Sequence, residues 1–215
     1  MKIQRSNTGP LLPVIGFCLF ILLYFIAAAL YPGGSEINRS AKGFSWMHNY
    51  WCDLLETYAE NGQPNTARTI AIIAMSVLCL SIALFWYFVS GLFTFKLVYK
   101  KIIRYTGILS MVILIFLQAD FHDMVINVSG ALGIIAITGT LIGLYKNHSY
   151  ILFASGLLCL FLFFLNNYIY YTKQLIYYLA IIQKISFFFF LLWFSLISIQ
   201  LFQKTKFTGN PRTGS

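Results

Sequence analysis

The chain has 215 residues, 59% of them hydrophobic and only 10% charged, with a formal net charge of +9. Soluble domains carry about a quarter charged residues, so the composition excludes a soluble globule and points to one polytopic membrane bundle. No basic run with interleaved aromatics lies outside the apolar segments, so nucleic acid is not an expected partner.

Six apolar segments come near the ~20 residues needed to span hydrocarbon: about Pro10–Tyr31, Ala67–Phe93, Ile103–Ala119, Met124–Tyr145, Tyr150–Tyr171 and Leu175–Phe202. Continuous apolar runs without period-two alternation exclude a barrel and leave helices. The expected fold is therefore an all-α bundle of six transmembrane helices, one domain over residues 1–207, with a flexible tail at 208–215. Cys18, Cys79 and Cys159 lie inside apolar runs and read as small buried hydrophobes rather than a disulfide framework.

The first segment follows Lys2 and Arg5. Its apolar run is longer than a signal-peptide core, so it reads as a retained helix. The connection from Pro32 to Thr66 holds four of the six acidic residues, Glu36, Asp53, Glu56 and Glu60. The spacing Met47, Trp51, Leu54/Leu55, Tyr58 predicts a short amphipathic helix over Ser45–Tyr58, N-capped by Ser45 and lying across the bundle mouth. His48 and Cys52 then sit four apart, a spacing that chelates zinc on a helix.

The second and third segments flank Lys96, Lys100, Lys101 and Arg104, and Lys146 and His148 separate the fourth from the fifth. Basic loops face the cytoplasm, so both termini are expected inside and the acidic loops outside. The connection Gln118 to Asp123 puts Asp120 and Asp123 around His122. Asp123, Asn127 and Gly130 continue as a polar stripe down the fourth helix, which also carries the small-residue pair Gly139 and Gly143 for close helix packing. The fifth segment ends with Asn166 and Asn167 before a tyrosine cluster. The sixth contains Gln183 and Lys184 about ~14 Å from its start, a costly depth for a cation without a partner. Asp123 or Asp53 is its expected partner, and Tyr177 shares its face.

The strings Tyr31-Pro32-Gly33-Gly34, Gly43-Phe44-Ser45, Asn49-Tyr50-Trp51-Cys52-Asp53-Leu54 and Asn61-Gly62-Gln63-Pro64-Asn65, with His122-Asp123 opening the fourth helix, resemble a family of prokaryotic multi-helix membrane proteins. That family is known as domain of unknown function nine-nine-eight. Its name implies a fold and no activity. The order Asn49-Tyr50-Trp51-Cys52-Asp53 is also similar to alkaline-ceramidase-type membrane hydrolases. That second resemblance implies seven helices and zinc held by three histidines, a Ser and an Asp. This chain offers His48 and His122 on its outer side, with His148 at a cytoplasmic loop.

Three functional readings follow. The first is a lipid- or small-ligand-binding membrane protein whose outward pocket draws on Trp46, Trp51, Gln118, Asp120, Asn127, Asn166, Asn167, Tyr177 and Lys184. The second is a membrane-embedded lipid-modifying enzyme in which His122 is the acid/base and Asp123 or Asp53 orients it. In a metal-bound variant, His48, His122, Asp53 and Asp123 would hold a divalent ion such as zinc. The third is a transporter, with Lys184 and Asp123 as coupling residues. The expected partner is membrane lipid, and the expected location is a bacterial inner membrane with acidic loops on the periplasmic or extracellular side.

Overall fold

A computed structural model describes residues 8–118 and 122–208, and the side chains of all of these except 117, 118, 122, 207 and 208. Within them the protein is a bundle of six long helices: α1 (Leu12–Leu30), α2 (Arg68–Val89), α3 (Leu97–Leu114), α4 (His122–Lys146), α5 (Tyr150–Thr172) and α6 (Ile176–Thr208). No strand is present among the described residues, only isolated bridges at Gly33–Lys42 and Tyr58–Pro64. Helices adjacent in sequence pack side by side, and α6 closes the ring against α1 and α2.

Five of the six are long and apolar enough to cross a membrane; α3 is the exception. Helices of this length and apolarity are compatible with an integral membrane protein. α3 starts at Leu97, not Ile103, so Lys100, Lys101 and Arg104 are wound into its first turns. Straight-chain cations are good helix formers, and Arg104 finds partners there. Its Nη2 donates to Ser90 Oγ at 3.0 Å, and its guanidinium lies 4.7 Å from the centre of the Tyr87 ring. α6 runs on to Thr208, past the expected end at Phe202; its 33 residues span ~50 Å, well beyond the ~30 Å hydrocarbon thickness.

The C-terminal ends of α1, α3 and α5 and the N-terminal ends of α2, α4 and α6 share one end of the bundle, called here the loop face. Lys96, Lys146 and the end of α6 lie at the far face. On α4, a Cβ at Gly139 would come within 2.6 Å of Ile103, and one at Gly143 within 2.5 Å of Phe93. The small-residue pair thus seats α4 against α3 and the Phe93 turn.

Candidate functional site

The long α1–α2 connection is the first component of the site, and it corrects one expectation. Ser45–Tyr58 is not an amphipathic helix. It holds one hydrogen-bonded turn at residues 46–48 and a 3-10 turn at Cys52–Leu54. Side chains take the backbone groups a helix would have used. Asn49 Oδ1 accepts the Ser45 N–H at 2.8 Å, and its Nδ2 donates to Gly34 O at 2.9 Å and Asp53 Oδ2 at 2.7 Å. The Tyr50 N–H goes to Asp53 Oδ2 at 3.0 Å instead of back along a helix. Ser45 Oγ meets His48 Nδ1 rather than capping a helix. Further along, Asn65 Nδ2 gathers the carbonyls of Asp53, Leu54 and Glu56. The fold also needs Gly34, at φ +84°, where a Cβ would lie 2.4 Å from Asn61 N.

This compact loop dips into the bundle. Trp51 packs against Tyr24 (3.6 Å between ring centres), Phe20 (5.6 Å) and Phe187 (4.7 Å). Phe20 lies ten residues before the end of α1, so Trp51 reaches roughly 15 Å below the helix ends. Lys184 meets it there. Its Nζ donates to Asn49 O at 2.5 Å and to Ala180 O at 3.1 Å, and lies 5.5 Å from the centre of the Phe44 ring. The expected carboxylate partner is replaced by a backbone carbonyl. No ion pair within 4 Å ties Lys184 to Asp53, although the two are close enough to interact electrostatically. Burial raises the Asp53 carboxyl from its ordinary 3.8 to about 6, with the Asn49 and Tyr50 hydrogen bonds opposing the rise. Burial also pushes the Cys52 thiol up to about 12, so at neutral pH it is a thiol and not a thiolate ligand or nucleophile.

Beside the loop lie two adjoining cavities. One, a vestibule of about 290 Å³, is lined by Glu36, Asp53, Asp123 and Lys173, and by Tyr50, Tyr170 and Tyr171. The other, a chamber of about 330 Å³, is walled by apolar groups of α2 to α6, including Met75, Ile82, Met111, Ile134, Phe190 and Phe194. The two share Cys52, Ile126, Asn166, Asn167 and Gln183, called here the neck. The floor lies about 27 Å below the loop face, at Trp86 and Phe194, each 18 residues into its helix.

Most polar groups of the loop are paired, whereas the chamber leaves polar atoms without protein partners. The buried Asn166 Oδ1, Gln183 Oε1, Trp51 Nε1 and Trp86 Nε1 have none, and all four residues line the chamber. Asn166 is held in place through its other amide atom, which donates to Leu162 O at 2.8 Å and Ser186 Oγ at 2.6 Å. Its carbonyl oxygen is the group left over.

Of the expected pocket residues, Trp51, Asn166 and Asn167 line the cavities; Asp53 and Asp123, expected as catalytic or metal-binding groups, line the vestibule. Trp46 packs on Phe25, Tyr24 and Phe44. Asn127 pairs with the Tyr171 hydroxyl at 2.9 Å, and Tyr177 with His48 Nε2 at 3.2 Å. Trp46, Asn127, Tyr177 and Lys184 do not contribute to the cavity lining. Gln118 and His122 by their side chains, and Asp120 altogether, lie outside the described residues. The polar stripe of α4 is used against α5: Tyr170 donates to Asp123 Oδ1 at 3.1 Å, Asn127 meets Tyr171, and Gly130 admits Phe163. Gln183 is the residue that sequence reasoning passes over. Its neighbour Lys184 draws attention as a cation, yet one residue along a helix turns the side chain by about 100°, and Gln183 is the one facing the cavity.

Among the described residues, no three of His, Cys, Asp or Glu converge on one point. Both His48 nitrogens already have hydroxyl partners, and Asp53 Oδ2 accepts two N–H groups. The side chain of His122, another of the expected metal ligands, lies outside the described residues. No family model, curated protein or solved structure matches the chain.

Proposed function

We propose that the protein is a membrane-embedded binding protein that holds a small amphipathic ligand, such as a single-chain lipid, with its headgroup in the vestibule and its tail in the chamber. The loop face is turned outward in this reading. Lys96, Lys100, Lys101, Arg104, Lys146, Lys204 and Lys206 gather at the far face, as cytoplasmic ends do, and α3 crosses as a sixth span despite its cations. The observation that carries the reading is the pairing of an acidic, tyrosine-lined vestibule of about 290 Å³ with an adjoining, mostly apolar chamber of about 330 Å³. Small-molecule sites have this form: a mostly apolar cleft with a few convergent polar groups.

Native mass spectrometry tests it. Wild type released from a neutral detergent is compared with Gly133→Leu. Gly133 lines the chamber, and its Cβ would meet only Ser110 Oγ, at 3.4 Å, so a leucine fills the space with little clash. A discrete adduct on wild type, lost in the variant, is the expected result. A wild type that carries no adduct, even after incubation with a lipid extract, refutes the reading.

A further inference from the structure

We infer that the ligand is a single-chain amphiphile with a positively charged amine headgroup, an inference that rests on the binding role proposed above. The cavity's charge and hydrogen-bonding chemistry select this class. The vestibule presents three carboxylates, Glu36, Asp53 and Asp123, against one ammonium, Lys173. Lys173 is itself drawn over the Tyr170 ring, 4.4 Å from its centre.

A carboxylate or phosphate headgroup would meet the vestibule acids with like charge, whereas an ammonium meets them with opposite charge and three N–H donors. The tyrosine rings around the vestibule favour a cation as well. The unpartnered indole N–H groups of Trp51 and Trp86 are donors and do not add to this selection. Below the neck, a largely apolar wall with a volume at the lower end of the roughly 300–1,000 Å³ seen for small-molecule pockets accepts one chain rather than two.

The test uses the whole protein in phosphatidylcholine nanodiscs, titrated calorimetrically with tail-matched dodecylamine, dodecanol and dodecanoate after subtraction of empty discs. Dodecylamine should bind about tenfold more tightly than dodecanol, the scale of one favourable ionic or cation–π contact. Dodecanoate should bind most weakly. The amine preference, read as the ratio of dodecylamine to dodecanol affinity, should fall in the double variant Glu36→Gln/Asp123→Asn, which removes two of the three vestibule carboxylates. Dodecanol or dodecanoate binding as well as the amine, with all binding abolished by Gly133→Leu, overturns the charge class and leaves the amphiphile pocket standing. An amine preference undiminished in the double variant also overturns the assignment. Binding by wild type no stronger than by Gly133→Leu for all three probes removes the amphiphile pocket itself.

Discussion

The α1–α2 loop and the chamber beside it are both built partly from polar side chains, yet they treat those groups in opposite ways. In the loop, Asn49 is fully buried and engages every hydrogen-bonding atom of its amide, and Asn65 gathers three carbonyls. In the chamber, Asn166 and Gln183 keep carbonyl oxygens with no protein partner. The same residue types are therefore structural in one place and available in the other.

Substitutions can break this comparison, and the largest effect belongs to the loop. Asn49→Ala removes three hydrogen bonds and leaves buried partners unpaired, which should cost about 3 kcal/mol or more. Thermal unfolding in detergent checks it, and an unchanged midpoint would mean that the loop is not held by this residue.

The next effect is a pH dependence. The Asp53 carboxyl is raised in the folded state, so the folded protein binds this proton more tightly than the unfolded chain. Its contribution is fully present at low pH and is lost as pH rises from about 4 to about 6. The total is on the order of 2–3 kcal/mol. Asp53→Asn keeps an acceptor oxygen for Asn49 and Tyr50 and should flatten this part of the stability curve. An equal slope in both proteins would assign it to other groups.

Lys184→Met should cost about 2 kcal/mol, because the Asn49 carbonyl loses its charged donor while buried. Lys184→Arg should recover part of that loss. A melt of Lys184→Met equal to wild type would show that this contact adds nothing to the loop.

The smallest expected effect has the opposite sign. Gln183→Met removes an unpartnered oxygen from the chamber and should raise stability by about 1 kcal/mol without ligand, while reducing adduct in native mass spectra. A loss of stability as large as that of Asn49→Ala would erase the distinction between the two regions.

Much of the bundle was legible in the sequence. Apolar runs locate α1, α2, α4 and α5 to within a few residues, because their ends coincide with turn residues and charges. α3 starts earlier than the apolar run, since Lys100, Lys101 and Arg104 favour helix as readily as loop. The stripe Met47, Trp51, Leu54, Tyr58 has the helical period, but Asn49 and Asp53 compete for the same backbone groups and win. That competition is decided by Gly34, which lies 15 residues away in the chain. Lys184 is conspicuous as a deep cation, yet its partner is a main-chain oxygen, which no residue type announces. The chamber is the least legible part. It exists because Trp86, Asn166, Gln183 and Trp51 from four different segments converge, and helical phase alone does not reveal that Gln183, and not its neighbour, faces inward.

The tie between Lys184 and Asn49 joins residues 135 positions apart, and it sets an order of events during synthesis. The loop emerges with the first two helices, but its lysine and the Phe187 ring that packs on Trp51 belong to the last one. Until α6 arrives, the Asn49 carbonyl and the Trp51 indole lack their final neighbours. The wall carrying Gln183 is absent as well. The pocket and its roof are therefore completed together, when α6 arrives. A nascent chain stalled before α6 presents an unfinished, aromatic-rich loop to the surroundings, a signal by which incomplete copies can be told from finished ones.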